Sequence, residues 1–135
     1  MTRLRVPTVL AVCACWVLSA CSGDSSPAAT DAARAATSFT ASVDAQPEAA
    51  CALLAPQTRQ ELEDSSGPCA QGIKDADLPT AGKVLSVDVF GQDAMVRLEH
   101  DTLFLARFDS GWRVTAAGCT PQEQDRPFSC ELKGA

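Results

Sequence analysis

The hydrophobic period of this chain changes once, at Gly82, and that change limits the fold to helices followed by a sheet. Before it, Ala32, Ala36, Phe39 and Val43 recur at helical spacing behind Ser26-Pro27. A serine cap with proline in the first turn is a helix start. Pro47 stops that helix, and residues 48–54 predict a short second one carrying Ala50, Leu53 and Leu54. Residues 56–62 predict a third, more polar helix, and Asp64-Ser65-Ser66-Gly67-Pro68 a loop. After Gly82 the pattern alternates. Leu85, Val87 and Val89 share one strand face, with Ser86 and Asp88 opposite. Gly91-Gln92-Asp93 turns the chain, and Ala94, Val96 and Leu98 alternate with Met95, Arg97 and Glu99 in a second strand. His100-Asp101 turns again into residues 102–108, with Phe104, Ala106 and Phe108 on one side. Asp109-Ser110-Gly111 leads to a fourth strand over residues 112–117. Four consecutive strands with short turns make an antiparallel meander, and its apolar face must be covered by the helices. The expectation is one small α+β domain over residues 30–135.

The N-terminus reads differently. Met1-Thr2-Arg3-Leu4-Arg5 carries two positive charges, and residues 6–20 are apolar apart from Thr8 and Ser19. A basic start, an apolar run and a small-residue end make a secretory signal. The run of about fifteen residues is short of the roughly 20 that a bilayer span takes. It ends in Leu18-Ser19-Ala20-Cys21, which resembles the lipobox of bacterial lipoproteins. The resemblance implies removal of residues 1–20, a diacylglycerol on the Cys21 thiol, and a location on the extracytoplasmic face of the cell membrane. The partner it implies first is membrane lipid, through the acyl anchor. Two acyl chains hold stably where one binds marginally. Residues 21–29 then form the lipidated cysteine and a flexible tether. Six residues of the Ser22-Gly23-Asp24-Ser25-Ser26-Pro27 type reach about 13 Å.

Without residues 1–20 the chain keeps nine basic and 17 acidic residues, a net charge of −8. Such a surface repels phosphate backbones, which argues against nucleic-acid partners. With no tyrosine and five phenylalanines, the core must be largely aliphatic. Cys13 and Cys15 leave with the signal, which leaves Cys51, Cys69, Cys119 and Cys130 beside the anchor. Outside the cytoplasm four cysteines imply two disulfides, with three pairings open. The local pairing, Cys51–Cys69 and Cys119–Cys130, is expected. Each closure contributes about 3 kcal/mol on the loop-entropy model. No two of the four have the close spacing of a zinc site, so neither metal nor cofactor is expected.

The order of helices then meander, with Phe104-Leu105-Ala106-Arg107-Phe108-Asp109-Ser110-Gly111-Trp112-Arg113-Val114 late in the chain, resembles the nuclear-transport-factor-2-like, cystatin-related folds. The segment is similar to their final hairpin, which ends in a Gly-Trp-x-Val strand. Together with Gly118-Cys119-Thr120-Pro121 and Pro127-Phe128-Ser129-Cys130, it is also similar to small actinobacterial lipoproteins. The resemblance implies a curved four-stranded cone over residues 28–118 in a host with one main membrane. The cysteine-closed tail departs from that pattern. Some enzymes of this fold class use an aspartate inside the cone as a proton-transfer base. Asp88, Arg97 and Trp112 are the matching pocket candidates here.

Each candidate also has a plainer role. Asp88 and Arg97 on adjacent strands make a cross-strand ion pair worth about 0.2–1 kcal/mol. Trp112 packs in the core, and Phe128 caps one end of it. His100 lies between Glu99 and Asp101, the residue types a general base needs, but in a turn. Glu61-x-Glu63-Asp64 lacks the loop pattern of a calcium site. No nucleophile elbow or phosphate-cradling loop is present. With no catalytic constellation, the expectation is a non-catalytic envelope domain that binds a protein partner or a small apolar ligand. The alternative is a pocket enzyme using acid–base chemistry through Asp88 or His100.

Overall fold

The computed structural model describes residues 26–134. The signal, Cys21 and residues 22–25 of the tether lie outside the described residues. Ser26 caps the first helix: its Oγ accepts the Ala29 N–H at 3.1 Å, and α1 runs Pro27–Ser42. Pro27, Ala28 and Ala29 are therefore helical rather than tether, and Ala29 is buried. Proline also opens α2 (Pro47–Ala52) and α3 (Pro56–Ser66).

Three helical features differ from expectation. α2 ends at Ala52, so Leu53 and Leu54 leave the helix, and Leu54 bridges Val114 instead. The third helix continues through Asp64-Ser65-Ser66, where a loop was expected. It stops at Gly67, whose φ of 79° ends the helix while its N–H bonds to the Glu63 carbonyl. A fourth helix, α4, spans Cys69–Asp75. Gly72 at its middle is a contact point. A Cβ there would lie 2.7 Å from Leu62 Cγ of α3, so glycine lets the two helices touch.

The sheet has five antiparallel strands in the order β1-β2-β3-β4-β5, one more than expected. They are β1 (Val84–Phe90), β2 (Asp93–Leu98), β3 (Thr102–Phe108), β4 (Gly111–Thr120) and β5 (Ser129–Lys133). The cysteine-closed tail supplies the fifth strand, with Ala117 paired to Leu132 and Cys119 to Cys130. Both disulfides, Cys51–Cys69 and Cys119–Cys130, are present.

Two bulges set which residues face the helices. In β1, Val84 pairs with Leu98 and Ser86 with Arg97, so Leu85 is the extra residue. The bulge carries Val84 to the core side and turns Leu85 out at 66% exposure, separating it from Val87 and Val89. In β4 the extra residue is Thr115, between Val114 opposite Leu105 and Ala116 opposite Phe104. In β3 the buried face is Leu103 and Leu105; Phe104, Ala106 and Phe108 lie on the outer face.

The core forms between the helices and the inner face of the sheet. Phe39 of α1, Ile73 of α4, Val96, Leu103, Leu105 and Val114 are fully buried. Each contributes roughly 1.5–3 kcal/mol in removing its side chain from water. α1 crosses the inner face from β1 to β4. The far edge of β4 is shared by two partners. Its first half bonds the link after α2, through Val114 N–H to Leu53 O at 2.9 Å and Ala55 N–H to Val114 O at 2.8 Å. Its second half takes β5.

Gly82 marks the joint between the two halves. Its φ is 78°, and an added Cβ would sit 2.5 Å from Glu99 Oε2. That carboxylate oxygen accepts the Lys83 N–H at 2.8 Å, fixing the entry of β1 beside the β2–β3 turn. Gly82→Ala combines backbone strain with displacement of Glu99, and we expect a loss of about 1–3 kcal/mol. Urea unfolding checks this; a variant within a few tenths of a kcal/mol of the parent would refute it.

Candidate functional site

The pocket candidates do not converge. Along β1 and β2, Val87 and Val96 point inward, so Asp88 and Arg97 point outward. Arg97 donates to Asp88 Oδ2 at 2.6 Å and to Ser86 Oγ at 3.4 Å, on a surface where both charged side chains stay well exposed. Trp112 lies on the opposite side, buried in the core at 6% exposure, with the Arg107 guanidinium 5.8 Å from its ring centroid. The sheet thus separates the ion pair from the tryptophan. Phe128 lies outside as well, edge-on to Phe104 at 5.1 Å, rather than at an end of the core.

His100 is exposed in the β2–β3 turn, and its N–H donates to the Ala81 carbonyl. Its neighbour Asp101 is the chemically distinctive residue. It is only 8% exposed, and its carboxylate collects three backbone N–H groups. Thr102 and Cys119 donate to Oδ1 at 2.7 and 3.0 Å, and Gly118 donates to Oδ2 at 3.2 Å. Burial pushes the Asp101 carboxyl above its ordinary 3.8, and the three donors pull it back only in part. The residue ties the β2–β3 turn to β4 beside the Cys119–Cys130 disulfide. All its donors are backbone groups of the fold, so this is a structural knot. Sequence reasoning assigned Asp101 to a turn, because the β4 amides it accepts from are remote in sequence.

Arg59 and Arg113 were not singled out in sequence, yet the fold brings them to one trough. Arg113 lies on β4 just after the β3–β4 turn. It donates through one terminal nitrogen to the Ala52 carbonyl at 2.7 Å, through the other to the Ser110 carbonyl at 3.5 Å, and through Nε to Ser110 Oγ at 3.3 Å. Arg59, in the first turns of α3, uses Nε on Glu63 at 2.8 Å. With Ser110 and the half-exposed ring of Phe108, the two guanidinium groups line a trough of about 350 Å³. On the other side of Phe108 a second trough of about 400 Å³ runs over Ala55, Ala106 and Ala116 to Lys133.

Among the described residues no group of three His, Cys, Asp or Glu side chains has the arrangement of metal ligands. No helix among them is long and apolar enough to cross a membrane. Comparison with protein-family models, with curated proteins and with solved structures finds no match to this chain.

Proposed function

We propose that this chain is an exported bacterial lipoprotein, diacylated at Cys21 and held on the outer face of the cell membrane. The domain it displays there is non-catalytic and binds a protein partner or a small apolar ligand. The observation that carries the reading is the sequence Leu18-Ser19-Ala20-Cys21 behind a basic start and an apolar run. Two disulfides in a domain of this size support an oxidising compartment. The start of α1 at Pro27 leaves a short tether, so the domain sits close to the bilayer. The outward position of the Asp88–Arg97 pair supports a surface ion pair rather than a proton-transfer base. As to fold family, helices followed by an antiparallel meander support the nuclear-transport-factor-2-like reading. Bulges at Leu85 and Thr115 support the curvature that reading needs.

The test is fractionation of cells expressing the chain and its Cys21→Ala variant. The parent is expected in washed membranes and to partition into detergent. The variant is expected to leave the membrane with both disulfides formed. A variant that stays in washed membranes would refute the anchor.

A further inference from the structure

We propose that the paired troughs on either side of Phe108 bind an amphipathic carboxylate, with its head on Arg59 and Arg113 and its chain along Ala106 and Ala116. The inference rests on reading the domain as a binding module and specifies the ligand. Three observations carry it.

The first is charge. The exported part carries −8, yet neither trough is lined by a carboxylate among the described residues. Three of its nine basic side chains, Arg59, Arg113 and Lys133, border the two troughs, and of these only Arg59 has a carboxylate partner among the described residues, Glu63. Local positive potential on an acidic body selects anions at that place.

The second is donor geometry. Glu63 engages Arg59 through Nε alone, which leaves the two terminal nitrogens for a planar, two-oxygen acceptor. Arg113 is braced by Ala52 and Ser110, so its guanidinium is held in place before a ligand arrives. Bracing reduces the entropy lost on binding.

The third is the apolar surface at Phe108. Phe108 is 41% exposed and is shared by both troughs, and beyond it Ala55, Ala106 and Ala116 line the second trough beside Thr58, Thr115 and Lys133. Small side chains there leave room for a methylene chain against the outer face of the sheet. At about 350 and 400 Å³ the troughs fall in the range of small-ligand sites, about 300–1,000 Å³.

The experiment is a titration of the exported, ¹⁵N-labelled full chain with octanoate, followed by amide shifts. Saturable shifts at Ala106, Ser110, Arg113 and Ala116 are expected at millimolar octanoate or below. Arg59→Gln is expected to weaken binding about tenfold, the loss of one charge-assisted contact. Phe108→Ala is expected to weaken it too, and its exposed position keeps folding intact. Octyltrimethylammonium is expected to leave these amides unmoved. The proposal fails if the cation shifts the same amides, if octanoate moves none of them at millimolar levels, or if Arg59→Gln binds as the parent does. Vesicles of phosphatidylglycerol that shift these amides at lower concentration than octanoate would also overturn it, making a lipid headgroup the occupant. Failure here leaves the anchor reading standing, because release by Cys21→Ala is read separately.

Discussion

Asp101→Ala is expected to lower the unfolding free energy by about 3–5 kcal/mol. It strips the acceptor from three backbone N–H groups, each worth about 1–3 kcal/mol when left buried without a partner. Those groups belong to Thr102, Gly118 and Cys119, so the loss falls where the β2–β3 turn meets β4. Urea unfolding at neutral pH measures it, and a loss under 1 kcal/mol would show that water replaces the carboxylate. Asp101→Asn separates geometry from charge. Its carbonyl oxygen still serves Thr102 and Cys119, while its NH₂ opposes the Gly118 N–H. We expect a loss of about 1–3 kcal/mol for one frustrated donor.

The same residue carries a pH signature. Burial raises the Asp101 carboxyl above 3.8, so the folded chain holds this proton at a pH where the unfolded chain has released it. Stability from this group therefore rises as pH falls from the raised value toward 3.8, and it is lowest once the buried group is ionised. Asp101→Asn is expected to remove that gain. A stability–pH profile of the variant that still parallels the parent through this window would refute the assignment.

Removing the Cys51–Cys69 bond is expected to be about as damaging. The bridge closes 18 residues, including all of α3, and fixes α2 against α4. The double variant Cys51→Ala/Cys69→Ala frees that loop in the unfolded chain, at about 3 kcal/mol on the chain-entropy model. Both cysteines are buried, so lost packing adds to it. For a domain of this size, 1 kcal/mol corresponds to about 4–8 °C, and we expect a midpoint roughly 12–20 °C lower. Calorimetry of the oxidised parent and the double variant decides this. A midpoint within a few degrees of the parent would mean that helix packing alone holds the loop.

Much of the architecture was legible because it depends on local rules. Ser26-Pro27, Pro47 and Pro56 mark helix starts through cap chemistry and a fixed φ, and α1, α2 and α3 begin there or one residue away. Alternation after Gly82 gives the strands. The misses have non-local causes. Periodicity assumes that every residue advances the face by one step, and the extra Leu85 breaks that count. The end of α3 is solvent-exposed, so residues 63–66 carry no apolar stripe to reveal a helix. β5 is five residues long with Leu132 as its one large buried apolar side chain, too little for a pattern. The sites were less legible still. Asp88 and Arg97 meet on the outer face, where the alternation with Val87 and Val96 puts them, so the ion pair was legible while a pocket there was not. Arg59 and Arg113 lie far apart in sequence and come together through the bridge between the α2–α3 link and Val114 and through the Thr58 bond to the Thr115 carbonyl.

That bridge also bears on the order in which the domain assembles. Each strand pairs with its sequence neighbour, so the sheet grows by short closures of low entropic cost, a topology associated with fast folding. The contact of Leu53–Ala55 with Val114 is a long-range step that, with α1 across the inner face, joins the helical half to the meander. A chain emerging N-terminus first has every partner of the first half of β4 before β5 appears. The last strand is then expected to dock on a sheet already seated, so that the oxidation of Cys119 with Cys130 follows the pairing of β4 with β5.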